Sequence, residues 1–159
     1  MNLQLAREIQ KMAKLDQKVR IQKDRGGIMA VTKRNTKRLK EIVEQFGWPT
    51  ILLVGTQASN SAWLLIQHAD YDLRFQKYCL RLMREAVKKG EVSKENIAYL
   101  TDRVLINIGR PQLYGTQFDN NNGALVPKPI KDPDKLDIRR RKMGLQSFKI
   151  YTRELLKLK

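Results

Sequence analysis

The chain has 159 residues, of which 42% are apolar and 30% are charged. This composition excludes an intrinsically disordered chain, and the length suits a single folded domain. The 32 Lys and Arg residues outnumber the 16 Asp and Glu residues, which gives a formal net charge of +16. Such a charge attracts nucleic acid, nucleotides, anionic lipid and acidic proteins without sequence specificity.

The sequence also bears on the cell compartment. No apolar run approaches the roughly 20 residues that a membrane span needs, and residues 1–8 lack the order of a signal peptide, basic and then apolar. We therefore expect a cytoplasmic protein that does not enter the membrane. The single cysteine, Cys79, cannot form an internal disulfide, and its place on an apolar helical face favours burial over reactivity.

Two helices are predicted at the start of the chain. The first has an apolar face formed by Leu5, Ile9, Met12 and Val19. Residues 24–27 contain two glycines and predict a turn. The second helix has the same periodicity at Leu39, Ile42, Val43 and Phe46. Gly47 and Pro49 are typical of a helix end, so this helix stops near residue 47.

The middle of the chain predicts two further helices. Residues 51–54 form a short apolar run that fits a buried strand or a helical turn, and periodicity does not decide between them. A third helix is expected from an N-cap at Ser59 or Asn60 to His68. Asp70 or Asp72 can cap a fourth helix, which ends at Gly90. Its apolar stripe is formed by Phe75, Tyr78, Cys79, Leu82, Met83, Ala86 and Val87.

The last third of the chain combines helices with a long loop. A fifth helix is capped by Ser93, ends at Gly109, and turns Ile97, Leu100, Val104 and Ile108 inward. Between residues 110 and 133 the periodicity disappears, and Asn, Gly and Pro are frequent. Helical periodicity returns at residues 134–143 and from Ser147, with Phe148, Tyr151, Leu155 and Leu158 inward. We predict an all-α fold, a single compact multi-helix domain over residues 1–159 with one long ordered loop at about 110–133.

His68 is the only histidine and the first candidate for chemistry. Histidine titrates near neutral pH, so His68 can act as a general acid or base. Asp70 would orient its ring if the helix ends near His68. The alternative is a structural histidine that donates to a backbone carbonyl. One histidine with scattered carboxylates lacks the spacing of a metal site, so neither a metal nor another cofactor is expected.

Asp102 and Arg103 are adjacent on the fifth predicted helix, at opposite edges of its apolar stripe. A solvated or cross-helix salt bridge is the ordinary interpretation of such a pair. The alternative is that Arg103 points into a pocket, where its planar guanidinium grips a carboxylate or a phosphate.

The segment from Gln112 to Gln117 opens the long loop with a phenol, two amides, a hydroxyl and a glycine. Exposed backbone N–H groups in such a segment bind oxyanions, and glycine permits close approach of the main chain. A turn explains Gly115 equally well. We predict ligand contacts here, although no phosphate-binding loop of the G-x-x-x-x-G-K-[ST] type occurs in the chain. The residues assigned to these contacts are Gln112, Tyr114, Thr116 and Gln117.

Residues 139–142 form a basic run. Consecutive residues on a helix point in different directions, so at most one or two of them can serve one pocket, and we assign that role to Arg139 or Arg140. The alternative is a diffuse basic surface that combines this run with Lys33–Arg34, Lys37–Arg38 and Lys88–Lys89.

Several segments together resemble a bacterial family known only as a domain of unknown function. The resemblance covers roughly residues 10–147, and its most specific parts are Gln67–Asp70 and Tyr114–Gln117. Asp16–Gln17 with Arg20 also belong to the pattern. The resemblance implies that these polar segments are a family feature, and it implies no particular reaction. The other matching segments are Gly47–Pro49, Ala62–Ile66, Leu100–Arg103, Arg139–Arg140 and Gly144–Leu145.

Three functional hypotheses follow. The first is an enzyme, or a protein derived from one, that carries out hydrolytic or transfer chemistry on an anionic small molecule or phosphorylated ligand. His68, Arg103 and Tyr114 would line one pocket, with Asp70 as the orienting group. Asp102, Gln67, Gln112, Thr116, Gln117, Arg139 and Arg140 would bind the substrate. The second hypothesis is a non-catalytic nucleic-acid-binding protein, and the third is an interaction or inhibitor protein for an acidic partner.

Overall fold

The computed structural model describes residues 1–121 and 124–157 and is mostly helical, which confirms the predicted helical fold. The predictions for Leu158 and for Asn122–Gly123 lie outside the described residues. None of the described helices is both long and apolar enough to cross a bilayer. The helices are α1 (Leu3–Ile21), α2 (Arg25–Phe46), α3 (Ile51–Val54), α4 (Thr56–Gln67), α5 (Leu73–Val87), α6 (Lys94–Asn107), α7 (Leu136–Lys142) and α8 (Phe148–Lys157).

The chain comprises two compact units, an N-terminal unit (Met1–Ser93) and a C-terminal unit (Lys94–Lys159). In the N-terminal unit, α1 packs against α4 and α2, and α4 also packs against α3 and α5. The core residues of this unit include Ile9, Leu39, Ile42, Ala58, Ile66, Cys79 and Met83. The formation of a single domain by the whole chain stays a prediction.

The connection between α1 and α2 lies slightly earlier than predicted. The Asp24 side chain accepts a hydrogen bond from the Gly27 amide at 3.0 Å and caps α2. Both Gly26 and Gly27 therefore belong to the first helical turn, and the chain reverses at residues 22–24. Aspartate is a preferred N-cap because its carboxylate satisfies an amide that has no partner inside the helix.

The run at residues 51–54 is a helical turn, α3, capped by the Thr50 side chain. α4 begins at Thr56, one turn before the predicted caps, because Gly55 adopts a positive φ of 81° and turns the chain directly into the next helix. Asp72 caps α5 as predicted and accepts from the Phe75 amide at 3.1 Å. Cys79 is fully buried, and burial raises the pKa of its thiol.

The long loop of the C-terminal unit contains regular structure that the sequence pattern did not indicate. Strands β1 (Phe118–Asn121) and β2 (Ala124–Pro127) pair antiparallel. Gln112 forms a parallel bridge with Ile130, which closes the base of this loop. A short 3-10 helix (Pro133–Lys135) then leads into α7. The predicted loop is therefore a hairpin with a paired base, and its residues Asp119–Asn121, which are typical of turns, lie in a strand.

Candidate active site and the loop on Asp102

His68 lies immediately after the last turn of α4, as the residue that caps its C-terminus. Its side chain is 18% exposed, and Nδ1 lies 2.6 Å from Oδ2 of Asp16. Asp16 is on α1, and its side chain is only 1% exposed. The end of one helix therefore places an imidazole against a buried carboxylate from another helix.

Asp16 binds more than the histidine. Its Oδ2 accepts from Nε of Arg20 at 3.0 Å and from the Gln17 side-chain amide at 3.3 Å. Arg20 in turn donates from Nη2 to the Thr32 hydroxyl at 3.2 Å. Burial raises the pKa of Asp16, but hydrogen bonds and attraction from His68 and Arg20 outweigh it, so the net shift is downward. The carboxylate is held in its ionised form.

This arrangement fixes the histidine ring. A carboxylate on Nδ1 favours the proton at that nitrogen and leaves the Nε2 lone pair available in the neutral ring. Nε2 has no hydrogen-bond partner among residues 1–121 and 124–157. Within the same residues only Nε1 of Trp48 is both sealed from solvent and unpartnered, so Nε2 is reached by solvent. The ring is therefore anchored on one side and open on the other.

Asp16, and not Asp70, supplies the carboxylate on Nδ1. Asp70 accepts from the Gln76 side-chain amide at 3.2 Å, and that amide also donates to the Ile66 carbonyl at 3.1 Å. Gln67 is buried beside this group. Reasoning from residue patterns missed Asp16 as the partner of His68, although a signal was present. Asp16 falls on the core face of α1 with Ile9, Ala13 and Val19, where an aspartate needs a partner.

Main-chain amides of the segment Gln112–Gln117 donate to the carboxylate of Asp102, a side chain of the same unit, and binding of a ligand by this segment stays a prediction. The fully buried Asp102 accepts from the Leu113 amide at 2.7 Å and the Tyr114 amide at 3.0 Å. The amide and the hydroxyl of Thr116 each donate to it at 3.0 Å. Burial raises the pKa of Asp102, and these hydrogen bonds oppose that shift without cancelling it.

Gly115 and Gln112 also fix the conformation of this loop. Gly115 has a positive φ of 67°, and a Cβ at this position would lie 2.8 Å from the Phe148 ring. Gln112 is fully buried, and its side chain donates to the carbonyls of Gln117 and Lys128 at 2.9 Å and accepts from the Gln117 amide at 2.8 Å. The loop is therefore organised from within by side chains predicted to bind a ligand.

The basic run divides its residues between two roles. Arg139 donates from Nε to the Leu113 carbonyl at 2.6 Å and also binds the carbonyls of Lys131 and Asp132. Arg140 is 1% exposed and donates to the carbonyls of Gln146 and Tyr114. Burial lowers the pKa of Arg140. Both arginines thus bind main-chain carbonyls, whereas Arg141 and Lys142 are exposed.

Comparison with known families confirms the resemblance noted from the sequence. The chain belongs to a family of unknown function (DUF6624), whose model matches residues 4–158. Neither the curated proteins nor the solved structures gave a match. The assignment covers both units and names no reaction for the family.

The predicted site residues of this family member lie in both units. His68 and Asp70 belong to the N-terminal unit, and Arg103 and Tyr114 to the C-terminal unit. Arg103 donates from Nη1 to the Gln117 side chain at 3.3 Å. The Thr116 hydroxyl also accepts from the Gln117 side-chain amide at 3.1 Å. A single pocket lined by His68, Arg103 and Tyr114 stays a prediction.

Proposed function

We propose that this protein is a cytoplasmic enzyme that uses His68 as a general acid and base on an anionic substrate. The observation that carries the proposal is the contact of Nδ1 with the buried Asp16 carboxylate, which leaves Nε2 open. A base anchored by a carboxylate is the arrangement that orients histidine in acyl- and phosphoryl-transfer sites.

The chemistry of hydrolysis or transfer at this site is as follows. Nε2 takes a proton from water or from a substrate hydroxyl while that oxygen forms the new bond to the carbon or phosphorus centre. The bond to the leaving oxygen then breaks, and Nε2 returns the proton to that oxygen. Asp16 stays ionised throughout, holds the ring in place and stabilises its charged form.

Arg20 is the residue that we expect to bind an anionic substrate. Its Nε and Nη2 bind Asp16 and Thr32, whereas its Nη1 has no acceptor within the described part of the chain. A guanidinium fixed in this way can bind a phosphate or carboxylate beside His68 without first having to be ordered. We therefore favour a phosphate-bearing ligand, which the net charge of +16 would also attract.

A panel of chromogenic esters tests this proposal: p-nitrophenyl phosphate, bis(p-nitrophenyl) phosphate and p-nitrophenyl acetate. We expect turnover of at least one phosphate ester, with a loss of about 100-fold or more in kcat for His68→Gln. Asp16→Asn should lower kcat more than Asp70→Asn does. Asp134→Asn, at an exposed position in the C-terminal unit, is the control that should leave turnover unchanged.

The tautomer of His68 provides a test that does not depend on the choice of substrate. Because the chain has one histidine, the imidazole nitrogens of ¹⁵N-labelled protein give one set of NMR signals. We expect the neutral ring to carry its proton on Nδ1, and Asp16→Ala to shift the population towards a proton on Nε2. An Nε2-protonated ring in the unmodified protein, or no turnover of any ester, would overturn the proposal.

Nucleic-acid binding is the second candidate, and a stripe on α1 favours it. Arg7, Lys11, Lys14 and Lys18 are all exposed and follow helical spacing, so they lie on one face, opposite Asp16. None of the four forms an ion pair with another described residue. By contrast, Arg38 is bound to Glu8 and Glu41, and Lys88 to Glu85. The stripe is therefore a continuous basic surface on one face of α1.

The salt dependence of binding to a labelled oligonucleotide tests this candidate. Replacing the four stripe residues with Gln should reduce the slope of log K against log salt by about 3 to 4, because each phosphate contact releases about one counterion. A matched control replaces four exposed lysines of the C-terminal unit, Lys131, Lys135, Lys142 and Lys149. Equal loss in both variants would show that only net charge matters and would exclude the stripe as a binding site.

A further inference from the structure

The C-terminal unit contains a cavity of about 370 Å³ whose wall includes the buried Arg140. This volume is within the range of small-molecule sites. Tyr99 and Tyr151 line it together with the apolar side chains of Leu145 and Leu155, and Glu95 and Glu154 are also part of its lining. None of these residues belongs to the His68 site, so the cavity is considered independently of the proposed enzyme.

Arg140 is bound on one side only. An arginine has five N–H donors, of which Arg140 uses one from Nε and one from Nη1. Nη2 has no acceptor among residues 1–121 and 124–157. Trp48 Nε1 is the one nitrogen or oxygen of the described side chains that is sealed and unpartnered, so Nη2 opens into the cavity. A guanidinium that is 99% buried and aimed into a cavity requires an anionic partner there.

Two aromatic rings line the cavity beside Arg140 and provide a surface against which a ligand can pack. The Arg140 guanidinium lies 4.7 Å from the centre of the Tyr151 ring, which itself meets Tyr99 edge to face at 6.4 Å. Burial and a hydrogen bond with Tyr99 raise the pKa of the Tyr151 hydroxyl, so it stays neutral. The cation therefore has aromatic faces beside it, and no carboxylate of residues 1–121 and 124–157 forms an ion pair with it.

Two glutamates also line the cavity, at its solvent-exposed rim. Glu95 and Glu154 are exposed, whereas Arg140 is buried, so the negative charges lie towards solvent and the positive charge lies in the interior. Glu154 accepts from the Gln146 side-chain amide at 2.7 Å through one oxygen, and its other oxygen has no described partner. An anionic ligand alone would meet repulsion at this entrance, whereas a ligand with a trailing cation would be attracted to it.

We infer that this cavity binds a small zwitterion whose charges lie at opposite ends of an apolar body. The carboxylate of the ligand binds Nη2 of Arg140, the apolar body lies between Tyr99, Tyr151 and Leu155, and the ammonium group reaches Glu154. The separation of the charges favours ω-amino carboxylates and apolar dipeptides over α-amino acids, because an α-amino acid carries both charges on one carbon.

Three matched probes test this inference on the full chain: ε-aminocaproate, hexanoate and hexylamine. By calorimetry or by NMR titration, we expect saturable binding of ε-aminocaproate. Hexanoate and hexylamine should each bind about tenfold more weakly, because each lacks one charged end. The titration should also shift the ring resonances of Tyr99 and Tyr151, which locates the ligand.

Variants distinguish the two ends of the site. Glu154→Gln is an exposed substitution and should weaken ε-aminocaproate about tenfold while leaving hexanoate unchanged or tighter. Arg140→Lys should weaken the binding of both ligands. If this variant does not fold, the Glu154 variant and the shifts of the tyrosine resonances still test the inference. Glu44→Gln, exposed in the N-terminal unit, is the charge control. Hexanoate that binds as tightly as ε-aminocaproate, or no binding of any probe, would overturn the inference.

Discussion

The two units each bury an aspartate on the core face of a helix, and the two aspartates are used differently. Asp16 on α1 and Asp102 on α6 are 1% and 0% exposed. Asp16 is bound by side chains, namely those of His68, Arg20 and Gln17. Asp102 is bound mainly by main-chain amides of the loop that follows its own helix.

This difference separates a positioning carboxylate from a structural one. Main-chain amides neither titrate nor move independently, so the groups around Asp102 only fix the loop. The imidazole of His68 presents a second nitrogen to solvent, so a carboxylate on its Nδ1 can affect chemistry at Nε2. A buried aspartate is therefore informative about function only through the groups that bind it.

Among the variants, Asp102→Asn is expected to cause the largest loss of stability. The amide oxygen of Asn cannot replace two carboxylate oxygens, and its NH₂ group would face N–H donors. We expect a loss of about 3 kcal/mol in the free energy of unfolding, and only about 1 kcal/mol for Asp16→Asn, whose oxygen can still accept from Arg20. Urea denaturation measures both, with Asp134→Asn as the exposed control. Equal losses at the two buried sites would contradict the comparison.

Substitution of Gly115, in the loop that binds Asp102, is expected to cause the next largest loss of stability. Gly115→Ala adds a methyl group that meets Phe148 and also strains a residue with positive φ. Gly109→Ala is the matched control, because Gly109 has a φ of 71° and nothing within 4 Å of the added Cβ. We expect a loss of about 1 kcal/mol for the control and at least about 1 kcal/mol more for Gly115→Ala.

The amides of Leu113, Tyr114 and Thr116 report on the same change locally. In Gly115→Ala their hydrogen exchange should accelerate, because movement of the loop lengthens their bonds to Asp102. If both glycine variants lose the same stability and retain the same exchange rates, Phe148 does not constrain the loop.

Most of the helices were predictable from the sequence, because their apolar periodicity is long and their caps are explicit. Asp72 at the start of α5 is an example. The hairpin was not predictable, since Phe118–Asn121 has turn-forming residues and no alternation of apolar and polar side chains. The bridge at the base of the hairpin joins Gln112 and Ile130, which lie 18 positions apart, a separation that no local pattern records.

The site was predictable in part, for a related reason. The single histidine and the oxyanion-binding character of the Tyr114–Gln117 segment follow from residue chemistry. The partners do not, because they come from other elements of the same unit. Asp16 contacts His68, which lies 52 residues later in the chain. Asp102 accepts hydrogen bonds from loop amides that lie 11 to 14 residues after it. Sequence identifies the groups that need partners, and the fold decides which partners they obtain.

The smallest expected effect is a difference in pH dependence between the two aspartates. The folded-state pKa of Asp16 lies below its ordinary value of 3.8. Its stabilising contribution is therefore complete above the unfolded pKa and is lost as the pH falls through the folded one. The folded-state pKa of Asp102 lies above 3.8 because of burial, so its contribution is present at low pH and is lost as the pH rises.

The free energy of unfolding, measured from about pH 3 to about pH 7 for the unmodified protein and for each Asn variant, tests these opposite signs. The stability of the unmodified protein relative to Asp16→Asn should increase with pH, because ionisation of Asp16 favours the folded state. Relative to Asp102→Asn it should decrease over the same range, because burial opposes the ionised form more than the loop amides favour it. Subtracting each variant removes the contributions of other groups, including Glu8 and Asp72, whose pKa values are also lowered. An increase with pH for both aspartates would mean that the hydrogen bonds from the loop amides outweigh the burial of Asp102.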